Sequence, residues 1–292
     1  MTAPYWPDKL RLLASYAYPD ALNNAVAIPG VDLMVDSGAF TADSIGKKID
    51  MDEYCDWLIR HQANITTAVV LDVIGDWRGT ARNHEIMMGK LPDTITVLPV
   101  WHATSPLSEL DRLCRAHDYV GIGGVTSMAR TVKQFMQHSI RAHKVADLHG
   151  TALHGLGVTG RTAMTRLPWS TVDSSTWLSG ARYGNLILYG WDYRQVTASA
   201  GERPSPEATK TIRAYGGNPT RMSKKGFGTR AGGGDYQQEY RWMCEAACRS
   251  MMIMEGYLRA RHGRNARIYQ ACGTNVAVNI ARRAYALGNP FN

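Results

Sequence analysis

Short apolar runs rich in strand-forming residues recur along the chain, each followed by a polar or helically patterned stretch. LRLLASYAY (10–18), DLMVDSGAF (32–40), TTAVVLDVI (66–74) and TITVLPVWHA (94–103) are the first four. YVGIGGV (119–125), TALHGLGV (151–158), STVDSSTW (170–177) and RIYQACG (267–273) bring the series to eight. Between them, MDEYCDWLIRH (51–61) and SPLSELDRLCRAH (105–117) repeat their apolar residues every three or four positions, the period of a helix with one buried face. Ser105-Pro106 predicts a cap followed by proline in the first turn of the second of these. Strands that alternate with helices form a parallel sheet joined by crossovers. Eight in under 300 residues predict a closed (β/α)8, TIM-like barrel rather than an open sheet. No strand is followed by the GxGxxG of a dinucleotide fold, which points the same way.

The alternation is interrupted once. NLILYGWDYRQVTA (185–198) predicts a hairpin, and a Pro- and Gly-rich basic stretch follows it and ends in AGGG (231–234). We read 185–234 as an insertion before the last strand of a single domain spanning 1–292. The segment 235–262 then predicts a long helix with Tyr240, Met243, Ala247, Met251, Met254 and Leu258 as its apolar stripe.

Composition adds little until charge is considered. A hydrophobic fraction of 45% with 20% charged residues is that of an ordinary globular protein, able to build a core without disulfides or metal. No apolar run is long enough for a membrane span, and MTAPYWPDKL lacks the apolar stretch of a signal peptide, so a cytoplasmic protein is expected. The net charge is +8, and the excess is uneven. Arg203, Lys210, Arg213, Arg221, Lys224, Lys225 and Arg230 face only Glu202 and Glu207 within 201–234, and Arg259, Arg261, Arg264 and Arg267 form a second cluster. Cations beside Gly-rich backbone suit a nucleic-acid phosphate backbone, with Lys224, Lys225 and Arg230 as the leading contacts. An odd, scattered set of cysteines (Cys55, Cys114, Cys244, Cys248, Cys272) argues for reduced thiols. Cys244, Cys248, His262 and Cys272 do not have a standard zinc spacing, and neither metal nor cofactor is expected.

Barrel enzymes draw their chemistry from the C-terminal ends of strands. Asp36 and Ser37 end the second run here, Asp72 the third, Trp101 and His102 the fourth, and Gly123 and Gly124 the fifth. His154 lies in the sixth and Asp173 in the seventh. One such carboxylate is an ordinary helix cap; three converging on one mouth repel one another, the arrangement in which one is protonated while another attacks.

VDSGAF, LDV, IGGV, HGLGV and VDSSTW, in this order, resemble the tRNA-guanine transglycosylase superfamily, including its DNA-acting branch that installs 7-deazaguanines. The resemblance runs from about residue 31 to 177. It implies that Asp173 attacks the sugar C1′ and holds a covalent intermediate. Asp36 would bind the base and handle its proton, Phe40 would stack on the extruded base, and Asp72 would read its Watson–Crick edge. Gly123 and Gly124 would let the backbone approach the base. Chemistry is consistent with these roles, because a carboxylate below C1′ stabilises the positive charge that builds as the base leaves and can close on it. A base within a duplex must first be flipped between two walls, for which Phe40 and His154 are the candidates.

The chain also departs from that family. It lacks the CxCxxC-plus-His zinc site of the tRNA enzymes, which favours DNA over tRNA as partner. Val100-Trp101-His102 stands where a base-reading Gln is usual, and His154 where a Met is usual, so base recognition is expected to differ. The expected function is base exchange in DNA, guanine leaving and a 7-deazaguanine such as preQ0 entering. The alternatives are a DNA glycosylase using the same aspartate, or a tRNA transglycosylase. A binding module would have no use for Asp173, and a sugar-phosphate enzyme would need a better phosphate cradle than CGTN (272–275).

Overall fold

The computed structural model describes residues 4–124, 131–158, 160–230, 235–263 and 266–292. Val125, Arg264 and the AGGG segment 231–234 lie outside the described residues. The chain divides into two compact units: Arg11–Ser174 with Asn265–Asn275, and Met1–Leu10 with Ser175–Arg264 and Val276–Asn292.

The first unit is a barrel-like parallel sheet of nine strands flanked by helices. Its strands are β1 (Arg11–Ser15), β2 (Asp32–Asp36), β3 (Thr67–Val69), β4 (Thr96–Leu98), β5 (Val100–His102), β6 (Tyr119–Gly123), β7 (Ala152–Gly155), β8 (Thr171–Ser174) and β11 (Arg267–Cys272). They lie in the order β4-β3-β2-β1-β11-β8-β7-β6-β5. The run 94–103, expected as one strand, is two, because Pro99 has no N–H to give to a ladder. The carbonyls on either side of this break still pair outward: Leu98 accepts from Val70 N at 3.1 Å and Pro99 from Gly121 N at 2.8 Å.

Helix starts follow local chemistry. The Asp50 side chain accepts from the Asp52 and Glu53 N–H groups ahead of helix Met51–Arg60, and Asp76 does the same for Arg78 ahead of helix Trp77–Lys90. Ser105 does not cap helix Leu107–Ala116 as expected; Pro106 takes the capping position, and the Ser105 hydroxyl is buried without a partner among the described residues. At the N-terminal end of the sheet, Asp32 is surrounded by Arg11 (3.4 Å), Arg267 (3.8 Å), and the Tyr269 and Thr66 hydroxyls at 3.0 and 2.8 Å. A buried carboxylate is tolerated there because cations and donors meet it.

In the second unit, β9 (Asn185–Tyr189) and β10 (Gln195–Ser199) pair antiparallel, with Tyr189 opposite Gln195. Helices Pro206–Ala214 and Pro219–Met222 follow, capped by Ser205 and Asn218, and then helix Tyr236–His262, capped by Asp235. Its burial is not the expected stripe: every residue from Met243 to Gly256 is buried, around the whole circumference. The polar members of that stretch are satisfied. Arg283 binds Glu245 at 2.8 Å, Arg249 donates to the Gly288 carbonyl, the Ser250 hydroxyl accepts from Tyr189 N, and Tyr5 donates to Glu255. Among the described residues no helix is long and apolar enough to cross a membrane.

Candidate active site

The strand alternation of β2 delivers Asp36 at the end of the strand, half-buried, and the chain then turns sharply. Gly38 makes the turn at φ 77°, and a Cβ there would lie 2.7 Å from Ala17 and from the Ser15 hydroxyl. Both the left-handed backbone and the lack of space demand glycine. The turn feeds helix Ala39–Ser44 and leaves the Phe40 ring 70% exposed. Burial pushes the Asp36 carboxyl up from its ordinary 3.8 to about 6. The Ser15 hydroxyl resists that rise through a hydrogen bond, the charges of Asp173 and Asp72 reinforce it, and the Gly38 N–H resists it. The carboxylates do raise Asp36, as their convergence led us to expect, but burial is the larger cause.

Opposite charge enters through β5. His102 Nε2 lies 3.1 Å from Asp72 Oδ1. Burial alone would lower the pKa of His102, but the hydrogen bond and charge of Asp72 outweigh it and leave it raised. The two glycines expected beneath a base make room for this imidazole: a Cβ on Gly123 would sit 3.2 Å from His102 Nδ1, and Gly124 turns at φ 71°. Trp101 takes no part. It is 2% exposed, donates its indole N–H to the Pro106 carbonyl, and lies on the face of β5 opposite His102.

Asp173 sits on β8, buried, with Oδ1 accepting from Gly157 N at 2.7 Å. His154 is not the exposed wall that was expected. It is fully buried on β7, with Nε2 3.4 Å from the same Oδ1 and Nδ1 2.7 Å from the Thr171 hydroxyl. Among the described residues none of Asp36, Asp72 and Asp173 pairs with Lys or Arg, in contrast to Asp32 at the other end of the sheet.

Comparison with known protein families, characterised proteins and solved structures finds no match.

Asp36, Asp72, His102 and Asp173 belong to one electrostatic group, held on β2, the segment after β3, β5 and β8. A carboxyl poised near 6 beside a carboxylate with a fixed Oδ1 can give a proton to a leaving group while the other attacks. Two cavities lie elsewhere, one of about 340 Å³ between helices Trp77–Lys90 and Leu107–Ala116, the other of about 520 Å³ around Leu91, Ile95 and Tyr119. Neither is lined by these carboxylates. Among the described residues no group of three His, Cys, Asp or Glu side chains could hold a metal ion, and the five cysteines are buried free thiols.

Lys224, Lys225 and Arg230 belong to the other compact unit. All three are exposed, and Arg230 donates to the Tyr236 hydroxyl at 3.2 Å. Arg221 is committed to an ion pair with Glu239. Four participants were missed by sequence reasoning: Ser15, Gly157, Thr171 and Tyr119. Only Thr171 carried a usable signal, because alternation places it on the same face of β8 as Asp173.

Proposed function

We propose that this protein exchanges a base in DNA through a covalent bond between Asp173 and the sugar, on an eight-stranded (β/α)8 barrel in which β4 and β5 count as one strand broken at Pro99. The observation that carries the reading is the group of three carboxylates with no Lys or Arg partner among the described residues, one poised near 6 and another with one oxygen fixed. Asp173 attacks C1′ as the C1′–N bond breaks, and the electron pair leaves with the base, which takes a proton from Asp36. An incoming base such as preQ0 returns that proton to Asp36 and attacks C1′, and the ester bond breaks back to the Asp173 carboxylate. Phe40, 70% exposed beside Asp36, supplies a stacking face for the extruded base. The exposed cations of 201–230 suit the DNA backbone.

One observation favours a second reading, hydrolysis. His102 on Asp72 offers an imidazole where the resembled family reads the base with an amide, and an imidazole can orient water. The two readings separate in one assay. Guanine-containing DNA, duplex and single-stranded, is incubated with the protein, with and without labelled guanine or preQ0. Exchange puts label into intact DNA, and Asp173→Asn lowers the rate by roughly four or more powers of ten. Abasic sites formed without added base would replace exchange by excision. Near-normal turnover by Asp173→Asn would overturn both.

A further inference from the structure

Below Asp173 the barrel interior carries an unbroken line of polar contacts. Tyr119 opens β6 and its hydroxyl meets the hydroxyl of Thr171. Thr171 opens β8, and its hydroxyl is also 2.7 Å from His154 Nδ1. His154 lies beside Thr171 in the parallel pairing of β7 with β8. Because side chains two apart share one face of a strand, the imidazole spans from Thr171 to Asp173, where Nε2 lies 3.4 Å from Oδ1. Thr171, His154 and Asp173 are buried, His154 at 0% exposed and Asp173 at 7%, and Tyr119 is half-buried.

The direction of each hydrogen follows by elimination. Burial holds the Tyr119 phenol far above its ordinary pKa, so it keeps its proton, and its hydroxyl partner is Thr171. Tyr119 therefore donates to the Thr171 oxygen. The Thr171 hydrogen is then free to point to His154 Nδ1, which accepts it. That leaves the His154 hydrogen on Nε2, facing Asp173. The Gly157 N–H bonds Oδ1 at 2.7 Å, the His154 Nε2 stands 3.4 Å from the same oxygen in an electrostatic contact without hydrogen-bond geometry, and among the described residues none addresses Oδ2.

We propose that Tyr119, Thr171 and His154 are positioning residues that lock the tautomer of His154 and thereby hold Asp173 with Oδ1 restrained and Oδ2 presented for attack. The inference rests on the reading of Asp173 as nucleophile. It adds a reason for a histidine in an apolar strand: with Nε2–H toward the carboxylate the contact is attractive, whereas the other tautomer would turn a lone pair on it. A group held this way stays in line with C1′ through both half-reactions, first as nucleophile and then as leaving group. When the ester breaks, the Gly157 N–H and the nearby His154 Nε2–H face the oxygen that shares the charge returning to the carboxylate.

The test uses Thr171→Val, which keeps shape and removes the hydroxyl, with Thr171→Ser as the conservative variant. Imidazole ¹⁵N spectra report the His154 tautomer without reference to activity, and label exchange into guanine-containing DNA reports the chemistry. The expected wild-type spectrum is Nε2–H. In Thr171→Val it shifts toward the other tautomer, and kcat falls roughly 10- to 100-fold with KM for DNA unchanged, the usual scale for a group acting through another. Thr171→Ser restores both. An Nδ1–H tautomer in the wild type, or full kcat in a folded Thr171→Val, overturns the proposal. Absence of exchange and of any protein–DNA adduct in the wild type overturns the reading of Asp173 itself, whatever the tautomer, and removes the relay's role in catalysis.

Discussion

Asp36→Asn should make the protein more stable at neutral pH while disabling it, and the stability change should carry a specific pH dependence. The folded carboxyl titrates near 6 against an ordinary 3.8, so the folded state holds this proton more tightly than the unfolded chain. For a raised carboxyl the sign is fixed. Its stability contribution is fully present below 3.8, declines as pH rises through about 6, and is lost above that. The difference of about 2.2 units corresponds to about 3 kcal/mol in total. By pH 4.5 about 1 kcal/mol of that is already lost, and about 2 kcal/mol more disappears between pH 4.5 and 7.5. Asparagine keeps an oxygen for the Ser15 or Gly38 hydrogen bond but cannot ionise, so its own stability lacks this slope. Urea denaturation of both proteins at half-unit pH steps measures it. The advantage of Asp36→Asn should grow by about 2 kcal/mol from pH 4.5 to 7.5 and level off above 7. A constant offset between the curves would mean that Asp36 is not held protonated by burial, and its role as proton donor would fall with it.

Three further outcomes test other parts of the structure. Gly38→Ala should destabilise by about 1–3 kcal/mol, because its Cβ would overlap Ala17 and Ser15 at a positive φ; an unchanged urea midpoint would remove the packing reason for glycine after Asp36. Replacing Lys224, Lys225 and Arg230 by Ala should weaken DNA binding regardless of sequence and flatten the slope of log K against log salt by up to about 0.9 per lost duplex phosphate contact. An unchanged slope would return these residues to solubility. His102→Phe should remove the imidazole that Asp72 holds, and a single-turnover pH profile that still shows the wild-type shape would exclude His102 from the chemistry.

The period-two runs and the helical spacings between them were sufficient to predict a parallel, barrel-like sheet, because alternation and crossover are local consequences of which side chains must be hidden. The same pattern put Asp36, Asp72 and Asp173 near strand ends, and the roles expected of them came from the resemblance rather than from the pattern. Alternation also separates Trp101 from His102: they are neighbours, so one strand cannot turn both inward, and only His102 faces Asp72. Pro99 likewise announced the break between β4 and β5. The remaining features depend on neighbours far away in sequence. His154 meets Thr171 and Asp173 only because β7 lies against β8, and the Met243–Gly256 stretch of helix Tyr236–His262 is buried all round only because other segments enclose it. The raised pKa of Asp36 comes first from desolvation, a sum over atoms from many strands that no single motif contains.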